Sequence, residues 1–437
     1  MRASKRLLGA AACAALTLAA AGCGGAAGPG GDGGDGGDGG KVTLTLWHNT
    51  ADPAPLVEMY KRFEKESGNR IELVPIPSDG FEDSTQTKWA TGERPDILEY
   101  HATVSNLLAL NPAENLRDLS GEAYVAKSGD LYKSAGATGG KVYAAITGFP
   151  QVFGLYYNKK VLADAGVEPP GTFEELSAAC RALSAKGVTP VFESGGSIWP
   201  VQILPLLYVS ASNEGNAYGK ALAGHTSSLA DPGSPFVAGL TAYRKLQDDG
   251  CFNKDITTAT FENSMKALVT GEAAMVAQHS DMLPAMLAAA GGDQKKVDDA
   301  VGFTGLSSTK AVVTYAPGPI GTFYLPKTGD AAREKAALDF VRFMTGPAYA
   351  DYVKSAKTFP VLQGVTGPPD VSPVLQDVKK AYDNGAVIAF NSDVPGMAGL
   401  APLMSELIAG QKDPQKAATQ LQGQIEQAAK AAGLPGW

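Results

Sequence analysis

Segments with the two-residue period of a β-strand alternate with segments of helical period between residues 42 and 100. In 42–47 β-branched and larger apolar residues alternate, which predicts a strand, and apolar residues in 55–67 recur at helical spacing before the helix stop at Gly68. The next strand, helix and strand are predicted at 70–76, 81–91 and 96–100. Strands alternating with helices predict parallel crossover connections and a sheet covered on both faces, so the chain has an α/β pattern. Further along, helical patterns dominate from about 192 to 290.

Length and charge limit the possible functions. Of 437 residues, roughly 400 follow the N-terminal segment, which is enough for two domains or one large two-lobed unit. The hydrophobic fraction of 44% and the charged fraction of 19% are typical of a globular protein. A net charge of -8 argues against nucleic acid as a partner, because phosphate binding needs a basic surface.

The first 22 residues predict export. A basic start precedes an apolar run at 7–21 that is too short to span a bilayer, and small residues precede Cys23. This pattern resembles a bacterial lipoprotein signal. The resemblance implies that 1–22 is a signal peptide and that Cys23 carries a lipid, which anchors the protein to the outer face of the cell membrane. The alternative is an ordinary secretory signal with a coincidental cysteine.

Residues 23–40 are predicted to be a disordered tether after this cysteine. They are nearly all Gly, Ala and Asp, so they lack the apolar surface that offsets the conformational entropy of folding. A Gly-rich coil of this length has a root-mean-square reach of about 20 to 25 Å. Such a tether would keep the globular body close to the membrane surface.

Two cysteines remain for the globular body, Cys180 and Cys251. In an oxidising compartment they can form a disulfide, but the sequence does not give their Cα separation, so two buried free thiols are the alternative. Neither cysteine has a histidine at metal-ligand spacing, and the chain contains 4 His. No metal site is predicted.

A stretch from Gly140 to Leu176 combines three recognisable motifs. It contains Gly-Lys-Val-Tyr-Ala-Ala from residue 140, Leu-Tyr-Tyr-Asn-Lys-Lys from residue 155, and a helix start with a capping box, Thr-Phe-Glu-Glu-Leu, from residue 172. These motifs resemble the carbohydrate-type extracellular solute-binding proteins of ABC importers, the maltose-binding-protein-like family. Further similar segments follow in the family's order along nearly the whole mature chain, at 45–47, 63–65, 95–97, 265–275 and 336–345.

The resemblance implies a periplasmic-binding-protein-like fold. Two α/β lobes would be joined by a hinge with several crossings, and a ligand cleft would lie between them. The implied lobe 1 is 41–146 with 305–361, and the implied lobe 2 is 147–304 with 362–437. The implied function is capture of an extracellular sugar or oligosaccharide and its delivery to the membrane permease of an ABC importer. We expect a monomer that is not an enzyme and has no cofactor.

Ligand contacts are predicted mainly in loops at the ends of strands. Sugar recognition combines aromatic faces with hydrogen-bonding side chains, and loops at the carboxyl ends of parallel strands present such groups. The resemblance implies a stacking aromatic at Tyr100 and a hydrogen-bonding side chain at Gln151. The predicted ligand-binding residues are Trp47, His48, Asn49, Glu99, Tyr100, Gln151, Trp199, His279, Asp281 and Asn391. For the three large aromatic residues of this set, packing in a core is the alternative.

The loop 278–281 departs from the family, which usually has a glycine and then an aromatic residue here. This chain has His279 and Asp281, and a carboxylate favours a more polar or amine-bearing ligand. A binding protein for a polyamine or another cationic small molecule is therefore one alternative function. An exported glycoside hydrolase is a less favoured one, since it needs two carboxylates across the scissile bond, for which Glu99, Glu193 and Asp281 are candidates.

Overall fold

A computed structural model describes residues 41–78, 80–431 and 436–437. The predicted signal peptide, the predicted lipidation site at Cys23 and the predicted tether at 23–40 lie outside the described residues. A search of the described helices for one that is both long and apolar enough to cross a membrane finds none.

The strands and helices of the described residues alternate along most of the chain. The strands are β1 (Thr43–Asn49), β2 (Arg70–Ile76), β3 (Ile97–Glu99), β4 (Ala137–Thr138), β5 (Lys141–Val142), β6 (Ala144–Ile146), β7 (Gln151–Asn158), β8 (Thr189–Val191), β9 (Ala273–His279), β10 (Val301–Thr304), β11 (Thr314–Ala316), β12 (Thr322–Tyr324) and β13 (Val387–Ile388). The α-helices are α1 (Ala54–Ser67), α2 (Phe81–Ala90), α3 (Val104–Ala109), α4 (Pro112–Asn115), α5 (Lys159–Ala165), α6 (Phe173–Ser184), α7 (Ile203–Val209), α8 (Ala217–Ala223), α9 (Pro235–Asp248), α10 (Phe261–Thr270), α11 (Leu283–Ala289), α12 (Gln294–Ala300), α13 (Ala331–Met344), α14 (Tyr349–Ser355), α15 (Pro373–Asp383), α16 (Leu400–Ile408) and α17 (Pro414–Ala431).

The first sheet has the strand order β2-β1-β3-β12-β6. β1 pairs in parallel with β2 and with β3, which confirms the crossovers predicted from the alternating pattern. β12 returns antiparallel between β3 and β6. Helix α1 buries Tyr60 and Phe63 against Phe340 of α13, with ring centroids 5.8 and 5.3 Å apart, so the helical spacing seen in the sequence marks the face of α1 that packs on the core.

The second sheet has the order β13-β11-β7-β9-β8, and β10 also pairs with β7. All seven residues of β9 are buried, and this strand pairs antiparallel with β7 along Phe153 to Tyr157. β9 falls within the 192–290 region in which helical patterns were predicted to dominate. A strand buried on both faces reads as a continuous apolar run without alternation, which is why periodicity missed it.

Each sheet belongs to a lobe with its own apolar core. Lobe 1 contains the first sheet together with α1 to α4, α13 and α14, and lobe 2 contains the second sheet with α5 to α12 and α15 to α17. The predicted change of lobe at 304/305 differs from the structure, because β11 pairs with β7 and β13 in the second sheet. The chain therefore returns to lobe 1 only after Ala316. The segments 311–315 and 321–325 have the composition of strands, and they contain part of β11 and the whole of β12. Composition does not reveal which sheet each strand joins.

In the described part of the chain three crossings connect the lobes, at 147–150, at 317–321 and at 366–372. The first two lie side by side, since the backbone N–H and the hydroxyl of Thr147 each donate to the Gly321 carbonyl at 2.8 Å. A Cβ on Gly148 would lie 2.2 Å from the Ile320 carbonyl oxygen, and Gly321 has φ +72°. Glycine is required at both positions because the two backbones approach too closely for a side chain.

Cys180 and Cys251 form a disulfide with their Cα atoms 5.2 Å apart, which decides between the two alternatives left by the sequence. Cys180 lies on α6, which begins with the predicted capping box between Thr172 and Glu175. Cys251 follows α9 and is fully buried. The bond joins two parts of lobe 2 that are 71 residues apart in the chain.

Reduction of this disulfide is expected to destabilise lobe 2. A loop of this length contributes about 4 kcal/mol in the chain-entropy description of cross-linking. Urea unfolding with and without reductant measures the loss, and the double variant Cys180→Ala/Cys251→Ala is expected to show a similar loss and no response to reductant. An unchanged midpoint after verified reduction would contradict this role.

Candidate functional site

A cleft of about 1770 Å³ lies between the lobes and is lined from both sides. It is larger than the roughly 300 to 1,000 Å³ of a pocket for a drug-sized molecule, so it has room for several linked rings. Lobe 1 contributes mainly polar side chains, which include Asn49, Glu82, Asp83, Gln86, His101 and Asn106. Lobe 2 contributes aromatic and polar side chains, which include Gln151, Phe153, Trp199, Phe261, His279, Asp281 and Asn391.

The lobe 2 wall is formed where β7 begins and β9 ends. Gln151 and Phe153 are two residues apart on β7 and therefore share a face of the sheet. Phe153 lies opposite His279 in the antiparallel register, and Gln151 donates its amide to the Asp281 carboxylate at 2.9 Å. The strand pairing thus brings together four side chains that are up to 130 residues apart in the sequence.

An aromatic surface surrounds His279. Its ring centroid lies 5.3 Å from that of Phe153 and 5.6 Å from that of Trp199, and Trp199 lies 5.4 Å from Phe261. The side chains of Phe153, Trp199 and Phe261 are only partly buried and line the cleft. Sugar rings present C–H faces that pack on such surfaces.

Ile198 precedes Trp199 in a strained turn. Its φ is +62°, a value that β-branched residues rarely adopt, and such outliers cost on the order of 1 to 3 kcal/mol. Its side chain is 46% exposed and lines the cleft. This turn directs Trp199 towards the cleft.

Burial changes the proton affinity of both polar residues at the end of β9. It raises the pKa of Asp281 to about 6, while the amide of Gln151 acts in the opposite direction. It lowers the pKa of His279 to about 3, and the nearby His101 of lobe 1 contributes to this shift. His279 is therefore neutral at physiological pH, and its buried Nδ1 has no hydrogen-bond partner among the described residues.

The lobe 1 wall presents hydrogen-bonding groups that are partly satisfied by one another. Glu82 accepts a hydrogen bond from the Asn106 amide at 3.0 Å and lies 3.5 Å from the imidazole Nε2 of His101. The side-chain oxygen of Asn49 accepts from the Ser78 hydroxyl at 2.5 Å. These groups retain capacity for further hydrogen bonds to a bound molecule.

Six of the ten predicted ligand-binding residues line the cleft: Asn49, Gln151, Trp199, His279, Asp281 and Asn391. The other four do not belong to its lining. Trp47 packs in the lobe 1 core, and His48 is largely buried beside Asp52. The remaining two, Glu99 and Tyr100, are fully buried in lobe 1.

The prediction that Tyr100 faces the ligand is wrong for this structure. Its ring packs on Phe81 with centroids 6.1 Å apart, and its hydroxyl accepts a hydrogen bond from Gln86 at 3.0 Å. Successive residues of an extended chain point to opposite sides, so the next residue, His101, reaches the cleft instead. The segment after β3 therefore reaches the cleft through His101, while the predicted Tyr100 lies in the core.

Glu99 connects the strands of lobe 1 to the second crossing. Its carboxyl accepts from the backbone N–H of Gly321 at 2.8 Å and from that of Asn49 at 3.2 Å. Burial, and then the neighbouring Asp52 carboxylate, raise its pKa well above the usual range. Asp52 in turn accepts from Nδ1 of His48 at 3.2 Å and from the hydroxyl of Tyr60 at 3.4 Å. This cluster stabilises lobe 1 beside the hinge.

The three candidate carboxylates of a hydrolase are not brought together at the cleft. Glu193 is buried in lobe 2, where burial raises its pKa to about 8 and the hydroxyl of Tyr243 donates to it at 3.2 Å. Glu99 is buried in lobe 1, so only Asp281 of the three lines the cleft. A search of the described residues also finds no group of three or more potential metal ligands.

Sequence reasoning missed Phe153, Phe261, Glu82 and Gln86, which also line the cleft. Phe153 could have been predicted, because residues two apart in an extended segment share a face and Phe153 lies two residues after the predicted Gln151. The other three lie in the first two turns of α2 and at the start of α10, and no local pattern distinguishes a helix start at a cleft from one at the surface.

The Glu99–Asp52 contact predicts a pH dependence of stability. Since the folded protein raises the pKa of Glu99 above 4.5, this stabilisation is complete below that pH and is lost as the pH rises towards the folded-state pKa. Asp52→Asn replaces the neighbouring charge with an amide that can donate to Glu99. We expect the free energy of unfolding to fall less steeply between pH 5 and 8 in this variant, where one proton corresponds to at most about 1.4 kcal/mol per pH unit.

Urea unfolding across this pH range measures the effect. Asp299→Asn, at an exposed position of α12, is the matched control and is expected to follow the wild type. If the free energy of unfolding changed equally steeply with pH in Asp52→Asn and in the wild type, the raised pKa of Glu99 beside Asp52 would be contradicted.

Comparison with known proteins identifies the sequence family. The family model described as bacterial extracellular solute-binding protein matches residues 47–351. The multiple sugar-binding protein of Streptococcus mutans serotype c (strain ATCC 700610 / UA159) is 23% identical over 309 residues, which are 70% of this chain and 71% of that protein.

Solved structures share the fold. A chitin oligosaccharide binding protein superimposes with a TM-score of 0.76 at 23% identity, covering 89% of this chain and 99% of that one. The structure described as SBP RafE in complex with raffinose gives a TM-score of 0.73 at 20% identity, with coverage of 89% and 100%. The two-lobed α/β architecture is therefore that of known solute-binding proteins.

Proposed function

Because the chain belongs to the bacterial extracellular solute-binding protein family, we propose that it captures an extracellular oligosaccharide between its lobes and delivers it to the membrane permease of an ABC importer. The observation that carries this proposal is the cleft of about 1770 Å³, which combines an aromatic wall on lobe 2 with a hydrogen-bonding wall on lobe 1. This combination suits a chain of sugar rings, whose faces are apolar and whose edges carry hydroxyls.

Capture follows from the way the two walls are connected. Trp199 and Phe153 offer faces to the sugar rings, while Gln151 and Asn391 of lobe 2 and Gln86 of lobe 1 bind hydroxyls at the ring edges. A ligand that contacts both walls binds the closed arrangement more tightly and shifts the population towards it. The two adjoining crossings act as the hinge of this motion.

The relatives support a saccharide as the class of ligand. Their names refer to multiple sugars, a chitin oligosaccharide and raffinose. Their names describe binding proteins, which agrees with a role in capture rather than in hydrolysis.

Saccharide binding is tested by titration calorimetry and thermal shift with raffinose and chitin oligosaccharides. A ligand selective for the folded state raises the melting temperature by mass action. Trp199→Ala is expected to weaken binding by about 1 to 3 kcal/mol, since it removes one face of the aromatic wall. Trp89→Phe, a conservative change in the lobe 1 core, is the control and is expected to bind normally. Absence of any saccharide response across a broad panel, or full affinity of Trp199→Ala, would contradict the proposal.

A lipid anchor on Cys23 completes the proposed mechanism. The protein is exported as a member of an extracellular family. The basic start, the apolar run at 7–21 and the small residues before Cys23 support processing as a lipoprotein. An anchored binding protein remains near its permease, and the Gly/Asp segment at 23–40 has the reach of a tether.

Cys23→Ala separates lipidation from secretion. We expect the wild type in the native host to incorporate a labelled fatty acid and to fractionate with the membrane, and the variant to do neither. Incorporation of label by Cys23→Ala would contradict lipidation at this residue, and a soluble unlabelled wild type would favour an ordinary secretory signal.

A further inference from the structure

We propose that the oligosaccharide carries a protonated amine and that this amine binds at Asp281, against the aromatic surface formed by Phe153, Trp199, Phe261 and His279. The inference rests on the proposed function, and it specifies the chemical class of the sugar. The ligand would be an amino sugar or another amine-bearing oligosaccharide, preferred over its neutral counterpart.

Asp281 lacks a cationic partner within the protein. Its one hydrogen bond from a side chain in the described part of the chain comes from the neutral amide of Gln151, at 2.9 Å to Oδ2. None of the described Lys, Arg or His side chains pairs with it, although the surface carboxylates of this protein are widely paired. The carboxylate lines the cleft and is held in place by Gln151, so it is positioned to receive a ligand.

The surroundings of Asp281 make a neutral ligand a poor match. Burial raises the pKa of Asp281 to about 6, which means that the protein solvates its charge less well than water does. A sugar hydroxyl would donate one hydrogen bond to Asp281. It would leave the negative charge uncompensated, although the bound ligand displaces water that solvates the carboxylate in the empty cleft. A protonated amine supplies a charge-assisted hydrogen bond and neutralises the carboxylate.

The neighbouring rings also favour a cation. Aromatic faces attract a cation placed within about 6 Å of the ring centroid. The rings of Phe153 and Trp199 lie 5.3 and 5.6 Å from the ring of His279, which is two residues from Asp281 in the chain, and all four residues line the cleft. His279, which is 8% exposed, is kept neutral by burial, so it does not repel an amine. Its buried Nδ1, unpartnered among the described residues, is a further unsatisfied polar group in the same wall.

The other charged side chains that line the cleft are mainly negative, like Asp281. The described lining of the cleft contains four carboxylates, Glu82, Asp83, Glu262 and Asp281, and a single lysine, Lys141. That lysine pairs with Asp118 at 3.1 Å. A negative cleft attracts a cationic ligand from solution and disfavours an acidic sugar.

An amine-bearing oligosaccharide matches more of the groups that line the cleft than a linear polyamine does. A linear polyamine needs several carboxylates placed along its length. Of the four lining carboxylates, Asp83 and Glu262 are exposed and Glu82 already accepts a hydrogen bond from Asn106, so Asp281 is the one that is partly buried and has no cationic or amide partner on the described part of lobe 1. The remaining lobe 2 wall presents ring faces and neutral amides such as Gln202 and Asn391, which suit sugar faces and hydroxyls. One amine on a chain of sugar rings matches this distribution.

Matched oligosaccharides, with and without an amine, test whether the protein prefers an amine-bearing ligand. The titrations are done at pH 6.5 to 7 and moderate ionic strength. The β-1,4-linked panel consists of glucosamine dimer and trimer, their N-acetylated forms, cellobiose and cellotriose. In calorimetric titrations we expect at least one amine-bearing member to bind 10-fold or more tightly than its neutral counterpart. Neutral members that bind as tightly as the amine-bearing ones would overturn the inference and leave saccharide capture intact. Binding of spermidine with no saccharide response would overturn both.

Variants locate the amine. Asp281→Asn retains an oxygen that accepts from Gln151, so the wall is expected to fold, and residual binding of a neutral sugar verifies this. We expect Asp281→Asn to abolish the amine preference, and Asp299→Asn, an exposed position on the same lobe, to retain it. A preference that survives in Asp281→Asn would overturn the assignment of the amine to this carboxylate.

Discussion

The close contact between the first two crossings is the constraint on which the two-lobed arrangement depends. Thr147 donates twice to the Gly321 carbonyl, and Glu99 accepts from the Gly321 N–H, so both backbone polar groups of this residue in the second crossing are held by hydrogen bonds. The backbones meet at a distance that only glycine permits at Gly148 and Gly321. Because these bonds join the two crossings to each other and to the first sheet, they fix the positions of both crossings relative to lobe 1.

The first two crossings also position the polar pair Gln151 and Asp281 in the cleft. Gln151 begins β7 directly after the first crossing, and a Cβ on Gly318 in the second crossing would lie 2.8 Å from the Cγ of Gln151 and 3.4 Å from Oδ2 of Asp281. The hydrogen-bonded pair of Gln151 and Asp281 therefore lies against the hinge itself. The proposed binding site at Asp281 therefore adjoins the second crossing as well as the lobe 2 wall.

The buried carboxyls have different roles according to their surroundings. Glu99 lies among backbone donors and another carboxylate, Glu193 lies beside Tyr243, and Asp281 faces the cleft with one neutral donor. Burial raises the pKa of each, but only at Asp281 is the group accessible to a ligand. A raised pKa alone does not distinguish a structural carboxyl from a binding one, whereas its position relative to the cleft does.

Local features of the fold were determined by the sequence alone. Periodicity identified β1, α1 and β2 to within two residues, and the capping box fixed the start of α6, because these features depend on neighbours in the chain. The collinear motifs also indicated the family. Tertiary structure decided the rest: that β11 joins the second sheet, that β9 is a buried strand, that Cys180 bonds to Cys251, and that His101 rather than Tyr100 reaches the cleft. These outcomes depend on contacts between segments far apart in the chain, and a shift of one residue in an extended segment exchanges the buried face for the exposed one.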